Sequence, residues 1–244
     1  MMKSFAKRLL KGLHLEHYAR HMWQSHQAYR ASIAYEKKRI QDSLEIKALC
    51  ESDNNAKLHI GAGFNILTGW INTDAHPIHP DCRVMDAARQ LPIGDQRLDY
   101  IFCEHLIEHL SHAQGLQLLA ESYRCLRPKG ILRIATPKLD HYLALFQGDA
   151  QANEFLARYE RLLADPPMTA TKALNHAVRD WGHQFLWAEG ELRAALHAAG
   201  FKDIRSQMIG QSEYAALRGL ERHQETVDHE VNRMETMVLE AAKP

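Results

Sequence analysis

The sequence has few cysteines and no long apolar run. Its four cysteines are scattered and form no Cys-x-x-Cys pair, which excludes a disulfide framework and a zinc ribbon and indicates reduced thiols. No stretch approaches the roughly 18 consecutive apolar residues that a membrane-spanning helix needs. The charged start of the chain is not followed by an apolar region of about seven or more residues, so no signal peptide is predicted. We therefore expect a cytoplasmic protein, at most peripheral to the inner face of the membrane.

The chain also lacks net charge, because 30 Lys and Arg balance 30 Asp and Glu over 244 residues. A neutral chain has no overall field that attracts nucleic acid, and no nucleic-acid partner is expected. The balance is uneven along the chain, since residues 1–50 hold ten Lys and Arg against four acidic residues.

The same residues 1–50 contain no proline and a single glycine, Gly12. Apolar side chains recur at helical spacing, as at Met22, Tyr29 and Ile33, so we predict one or two amphipathic helices. Two interpretations are open: an extension that packs on the following domain, or a basic surface helix that contacts acidic lipid or a protein partner. The polar cluster Ser52-Asp53-Asn54-Asn55 marks the predicted boundary between the helical extension, 1–52, and a domain, 53–244.

After this cluster, short apolar runs alternate with helical stretches, a pattern that predicts parallel strands joined by crossover helices. Helices are indicated at Gly115–Leu126 and at Glu189–Ala199, where Gly200 provides a C-cap. The sequence therefore predicts a doubly wound, Rossmann-like α/β domain. The predicted strands are Lys57–Gly61, Trp70–Asp74, Arg83–Asp86, Leu98–Cys103, Ile131–Thr136, Phe201–Ile209 and Glu235–Ala241.

The first predicted strand runs into the turn His59-Ile60-Gly61-Ala62-Gly63. Glycine lets a ligand approach the main chain closely, although Gly-x-Gly alone is a weak signal. The second strand ends in Asp74, whose carboxylate is placed to accept hydrogen bonds from two ribose hydroxyls. The third ends in Asp86, which suits an adenine amino group. Three adjacent strands that each end in a ligand-suited residue predict a site for a nucleoside-containing cofactor.

The missing third glycine of the dinucleotide fingerprint bears on which cofactor binds. Phe64-Asn65-Ile66 stands in its place, and Asp74 follows Gly61 after only 13 residues, whereas NAD sites have about 20. S-adenosylmethionine carries no phosphate, so its site needs room and polar groups more than an anion cradle at a helix terminus. The pattern therefore favours S-adenosylmethionine over NAD.

The fourth predicted strand leads into Glu104-His105-Leu106-Ile107-Glu108-His109. Ligands of open α/β sheets lie beyond the carboxyl ends of the strands, so Glu104 and His105 are expected beside the reactive end of the cofactor and are the candidate catalytic residues. His105 is the candidate general base, since its unperturbed pKa is about 6.5; alternatively, Glu104 and His105 hold loop structure or contact the cofactor. His105-x-x-Glu108-His109 also matches a zinc-peptidase pattern, but no further acidic ligand stands out, and no metal is assigned.

Together these residues resemble the class I S-adenosylmethionine-dependent methyltransferases, and most closely a small bacterial subgroup associated with polysaccharide biosynthesis. The similarity covers about residues 57–241 and leaves out the first fifty. The matching stretches are Leu58–Gly63, Gly69–Asp74, Asp86 with Leu91-Pro92, Leu98–Ile101, Glu104–His109, Glu121–Gly130, Leu192–Phe201 and Val238–Ala241.

The resemblance implies a seven-stranded sheet in the order 3-2-1-4-5-7-6, with the last strand antiparallel. It implies that the turn Gly61–Gly63 faces the methionine part of the cofactor, Asp74 the ribose and Asp86 the adenine. Glu104 is a further candidate for a cofactor contact. His59 stands where many relatives have an acidic residue that helps to hold the cofactor's amino group, and it is the candidate for that contact here.

The predicted activity is transfer of a methyl group to a small hydroxyl-bearing acceptor, with a sugar or other glycan hydroxyl as the leading class. The segment Leu143–His183 is expected to wall the acceptor pocket. Trp181, His183, Phe185 and Trp187 are the candidate pocket residues, with ordinary core as their alternative role. Three other functions are open: a non-catalytic cofactor-binding interaction protein, a nicotinamide oxidoreductase and a zinc hydrolase.

Overall fold

The computed structural model describes residues 16–225 and 227–244. The chain divides into two compact units, one ending at Asp42 and one beginning at Ser43. Helix α1, Glu16–Ser52, contributes to both, and it runs unbroken because it contains neither proline nor glycine. Ile46 and Cys50, near its C-terminal end, are buried in the core of the larger unit. That unit therefore begins ahead of the boundary expected at residue 52. The helix expected in residues 1–15 lies outside the described residues.

The first part of α1 is a polar helix with exposed apolar side chains. Lys38 and Asp42 form an ion pair one helical turn apart, at 2.8 Å. Met22, Trp23 and Tyr29 are largely exposed. The expected contact of residues 1–50 with lipid or a protein partner stays a prediction. Among the helices of the described residues, none is both long and apolar enough to cross a bilayer.

A seven-stranded sheet organises the larger unit, in the order β3-β2-β1-β4-β5-β7-β6. Strands β1 to β5 pair in parallel, whereas β7 is antiparallel to both β5 and β6. This order confirms the predicted fold, including the antiparallel last strand. The strands are β1 Lys57–Ile60, β2 Ile71–Asp74, β3 Cys82–Val84, β4 Leu98–Glu104, β5 Leu126–Pro137, β6 Lys202–Gln207 and β7 Thr236–Ala242.

The helices that follow the sheet strands lie mainly in the second half of the chain. Helix α2 begins after Ser111, whose hydroxyl accepts from the N–H of Gln114 while the Gln114 side chain accepts from the N–H of Ser111, a reciprocal cap that satisfies two free donors. Helix α6 ends at Gly200, as expected. In the described chain, the links from β1 to β2, from β2 to β3 and from β3 to β4 contain no helix. The helices are α2 His112–Cys125, α3 Leu139–Ala144, α4 Ala150–Leu163, α5 Ala170–Arg179, α6 Glu189–Ala199 and α7 His229–Glu235.

Two of the three apolar clusters among the described residues of the larger unit lie next to the predicted site. One surrounds the sheet and includes Leu58, Ile101 and Trp187. The other lies among α3, α4 and α5 and is built on Tyr142, Phe155 and Tyr159. Because α3 follows β5 almost directly, this second cluster forms a wall beyond the carboxyl end of that strand.

Candidate active site

The glycine turn lies directly after β1. Gly61 and Gly63 have φ angles of +73° and +51°, in the left-handed region that a side chain disfavours. The N–H of Gly63 donates to Oδ2 of Asp74 at 3.0 Å, so the turn is tied to the end of β2. A Cβ atom at Gly63 would meet nothing within 4 Å, whereas one at Gly61 would lie 2.8 Å from Cδ1 of Leu106. Gly61 thus allows the segment after β4 to pack on the turn, and Gly63 leaves open space.

Replacing Gly61 with alanine is expected to destabilise the protein by about 1–3 kcal/mol, because the new Cβ meets Leu106 and φ stays positive. The matched control is Gly190→Ala on α6, where a Cβ meets nothing within 4 Å and alanine favours the helix by about 0.5–1 kcal/mol. Urea unfolding measures both. A Gly61→Ala variant as stable as the wild type would contradict the close packing of Leu106 on the turn.

Two carboxylates stand at neighbouring strand ends. Asp74 ends β2, and its second oxygen, Oδ1, accepts from the N–H of His76 at 2.7 Å. Asp86, just after β3, accepts from the N–H of Ala88 at 3.0 Å and pairs with Arg89 at 2.9 Å. Both acids are half-buried. The structure therefore places Gly63, Asp74 and Asp86 along one edge of the sheet.

His59 lies apart from these residues in its contacts. It is buried within β1, its Nδ1 is 3.2 Å from Oδ1 of Asn72, and its ring centre is 5.0 Å from that of Phe102. Burial lowers the pKa of His59 to about 4, so the imidazole is neutral near pH 7. A neutral side chain enclosed between strands offers a ligand no surface, and this placement does not favour the expected contact with the cofactor's amino group.

Glu104, at the end of β4, holds a distant loop. Its carboxylate accepts from the backbone N–H groups of Arg222 and His223 at 2.9–3.0 Å. Asn65, just past the glycine turn, donates from Nδ2 to the carbonyl of Leu220 at 2.9 Å. The segment around residues 220–223 therefore bridges the ends of β1 and β4, and Glu104 holds it there. A contact of Glu104 with the cofactor stays a prediction.

His105 has both ring nitrogens engaged. Its Nδ1 lies 3.1 Å from Oε1 of Glu108, and its Nε2 lies 3.2 Å from the hydroxyl of Thr236. Its ring stacks on His223 with 3.6 Å between centres. Burial alone would lower the pKa of His105, but the pairing with Glu108 and the charges of nearby carboxylates raise it overall. Nε2 donates to the Thr236 hydroxyl, which itself donates to Asn232, and Nδ1 is paired with the Glu108 carboxylate. This arrangement argues against the expected role of His105 as base.

Glu108, in the 3₁₀ turn Ile107–His109, is completely buried. Its Oε2 accepts from the hydroxyl of Thr136 at 2.9 Å. Its Oε1 accepts no hydrogen bond among the described residues and has only the close contact with His105. Burial favours the neutral acid, yet pairing with His105 lowers the pKa of Glu108 overall. A carboxylate is thus held in the interior of the segment Glu104–His109.

A cavity of about 380 Å³ opens beyond the ends of β4 and β5. Four imidazoles share its wall with aromatic rings and one carboxylate, Glu235, whose pKa is raised by burial. The Tyr142 hydroxyl is hydrogen-bonded to this carboxylate. The lining residues are His105, His109, Pro137, Tyr142, Tyr159, Leu162, Leu163, Trp181, His183, His223, Val227 and Glu235.

The four aromatic candidates for the acceptor pocket divide into two pairs. Trp181 and His183 line the cavity. Phe185 and Trp187 instead pack on each other and on His112, with Trp187 completely buried in the sheet core. Tyr142, His223 and Glu235 also line the cavity although no motif in the sequence marks them, whereas Tyr159 lies within the expected wall segment.

Comparisons by sequence and by structure both find methyltransferases. Residues 59–134 match the family described as methyltransferase domain. No curated protein matches the sequence. Among solved structures, a SAM-dependent methyltransferase from Archaeoglobus fulgidus is 17% identical, with 87% of this chain and 99% of that chain covered and a TM-score of 0.47. A SAM-dependent methyltransferase from Mesorhizobium loti is 13% identical, with 77% and 90% covered and a TM-score of 0.45.

The family match covers β1 through most of β5, the part of the sheet that carries the glycine turn, Asp74, Asp86 and His105. The strand order is the one that the resemblance to class I methyltransferases implied, and the match lies on the strands that carry these residues. The match supports the predicted enzyme class, a methyltransferase that uses S-adenosylmethionine as its cofactor.

Proposed function

We propose that this enzyme methylates a hydroxyl group of a small acceptor, with a sugar as the leading acceptor class. The observation that carries the proposal is the cavity of about 380 Å³ beyond β4 and β5, which lies in the size range of small-molecule sites. Because β4 pairs with β1, this cavity opens beside the strand that carries the glycine turn. An acceptor in the cavity would thus be next to a cofactor on the turn.

The strand ends fit S-adenosylmethionine on their own geometry. Gly63 leaves open space where any other residue would place a Cβ, and this gives room for the methionine part. Each carboxylate oxygen of Asp74 accepts one hydrogen bond from a backbone N–H group. Because a carboxylate oxygen can accept a second hydrogen bond, the ribose hydroxyls are proposed to donate to these same oxygens. Asp86 is proposed to face the adenine.

The cofactor supplies a methyl group on a positively charged sulfur, which is already activated for transfer. The chain's own residues then have to bind and orient the acceptor and exclude water, since positioning supplies much of the acceleration in such a reaction. Imidazole nitrogens of the cavity wall suit hydroxyl groups as hydrogen-bond partners. The rings of Tyr159 and Trp181 offer flat apolar surfaces for the C–H face of a sugar ring.

His105 and Glu104 are proposed to position the loop that forms one wall of the cavity. Glu104 fixes the loop that carries His223, and His105 stacks on the His223 ring. Both residues thereby shape one wall of the cavity. Because neither presents a free acceptor atom to the cavity in the described contacts, we assign the proton-accepting role to neither.

Trp181→Ala tests the acceptor side of the proposal. Removing this wall should raise the KM for the acceptor about five- to tenfold through lost aromatic contact, with the affinity for S-adenosylhomocysteine unchanged. The control is Trp23→Ala on α1, another exposed tryptophan, which should change neither. Methyl transfer from labelled S-adenosylmethionine is measured on a panel of monosaccharides and on the matching amino sugars. Methyl transfer only to the amino group of the amino sugars would contradict a hydroxyl acceptor. An unchanged KM for the acceptor in Trp181→Ala would contradict its placement against Trp181.

A further inference from the structure

We propose that Glu108, His109 and His183 bind a divalent transition metal ion, with Zn²⁺ as the leading candidate, on the wall of the acceptor cavity. Each of these residues offers one ligand atom, and the three atoms lie within 4.8 Å of one another. The zinc-peptidase pattern in the sequence pairs His105 with His109. The structure instead turns His105 toward Glu108 and Thr236 and brings in His183 from far along the chain.

The donor set suits a zinc ion. Catalytic zinc sites commonly use three protein ligands, among them two histidines and one glutamate, and keep a fourth position open. Oε1 of Glu108 is buried and accepts no hydrogen bond among the described residues. Its 3.1 Å contact with Nδ1 of His105 does not prevent a lone pair of that oxygen from reaching a metal, since a carboxylate oxygen has two.

The hydrogen-bond partners of the proposed ligands are of the kind found around zinc sites. His183 donates from Nδ1 to the carbonyl of Ala177 at 2.6 Å, which leaves Nε2 to coordinate. The hydroxyl of Thr136 donates to Oε2 of Glu108 at 2.9 Å. Such outer partners fix the ring orientation of a histidine ligand and the position of a carboxylate ligand.

The backbone brings the three ligands together without any help from a metal. The N–H groups of Gln184 and Phe185 donate to the carbonyl of Glu108 at 2.7 and 3.1 Å. The side chain of Gln184 donates to the carbonyl of His109 at 2.6 Å. The two imidazole rings meet edge to face, with 4.9 Å between their centres. The hydrogen bonds from Gln184 and Phe185 hold His183 next to the 3₁₀ turn, so the backbone positions all three ligands.

A metal at this place gives the acceptor hydroxyl a binding position, an inference that rests on the proposed function. His109 and His183 both line the cavity, so the open fourth position faces the acceptor. A hydroxyl oxygen bound there would lose its proton to solvent more easily, since a bound divalent ion lowers the pKa of oxygen ligands. The oxygen keeps the electron pair that forms the new bond to the methyl carbon, while the sulfur–methyl bond of the cofactor breaks and its electron pair stays on the sulfur, which becomes a neutral thioether. This would explain how the reaction proceeds although both nitrogens of His105 are engaged.

The test is a titration of chelator-treated full-length protein with ZnCl₂ by calorimetry and with CoCl₂ by visible absorption, in the absence of cofactor and acceptor. We expect one equivalent to bind in the wild type, with the absorption of a four-coordinate cobalt site. His183→Ala and Glu108→Gln should each weaken binding at least tenfold. The control His112→Ala removes an imidazole that lies outside the cluster and should leave the affinity unchanged.

Binding that is equal in His183→Ala and wild type, or no stoichiometric binding by the wild type, would overturn the metal site. S-adenosylhomocysteine affinity is measured on the same samples, to show that each variant is folded. Because the titration uses neither cofactor nor acceptor, its failure leaves the proposed methyl transfer intact. Conversely, metal bound by a protein that methylates no hydroxyl would point to failure of the proposed function alone.

Discussion

Replacing Asp74 with alanine is expected to lower the affinity for S-adenosylhomocysteine about a hundredfold. The variant loses the carboxylate proposed to accept from the ribose hydroxyls, and hydrogen bonds to a charged group contribute about 1.5–3 kcal/mol each. It also loses the bond from the N–H of Gly63, so the glycine turn is less well held. Calorimetric titration with S-adenosylhomocysteine measures the effect.

The matched control for this variant is Asp81→Ala. Asp81 lies in the link between β2 and β3 with its side chain largely exposed and only a 3.8 Å contact to His79, so its removal should leave the affinity unchanged. Asp74→Asn separates the two roles of the carboxylate, because the amide oxygen can still accept from Gly63. Wild-type affinity in Asp74→Ala would mean that the end of β2 does not hold the cofactor.

Arg133→Ala is expected to destabilise the protein by about 3–5 kcal/mol, the largest stability effect of any single substitution proposed. Arg133 on β5 is completely buried and donates to Glu221 and Glu240 at 2.6 Å each. Its Nη1 also donates to the carbonyl of Gln211 at 2.8 Å. Alanine would leave two buried carboxylates without their cation, and the free energy of unfolding in urea should fall accordingly.

The comparison for Arg133 is Arg205→Ala, which breaks a pair with Glu213 in which both side chains are exposed. Such a pair contributes about 0–1 kcal/mol. Because Glu221 precedes the residues that Glu104 binds, Arg133→Ala should also loosen the loop that bridges the ends of β1 and β4. Equal losses in the two arginine variants would contradict the idea that the buried ion network anchors this loop.

The strands of the sheet could be predicted from the sequence because short apolar runs alternate with helical stretches and several of these runs end in glycine or an acidic residue. The helix Glu189–Ala199 and its glycine cap came out residue for residue, since periodicity and cap agree there. Strand β5 begins earlier than expected, at Leu126, because Leu126 pairs with Leu98 across a break in register before the apolar run at Ile131 starts. A pattern of apolar residues cannot report such a pairing.

The sequence positions of the candidate site residues could be predicted, but their contacts with residues far apart in the sequence could not. The positions of Gly61, Gly63, Asp74 and Asp86 at the ends of strands could be predicted because each ends or follows a short strand pattern, while their role in binding the cofactor stays a prediction. His59 could not be placed, since the partner of its ring, Asn72, sits on another strand. The same holds for Glu104, whose partners are backbone N–H groups that leave no mark in the sequence. Only the fold shows that His183 meets Glu108 and His109.

The central claim is that the turn after β1 and the acids after β2 and β3 bind S-adenosylmethionine for methyl transfer. The most direct measurement is a calorimetric titration of the wild-type protein with S-adenosylhomocysteine, run in parallel with NADH. The account predicts one S-adenosylhomocysteine bound per chain and no heat of binding with NADH. Binding of NADH without S-adenosylhomocysteine, or of neither, would contradict it.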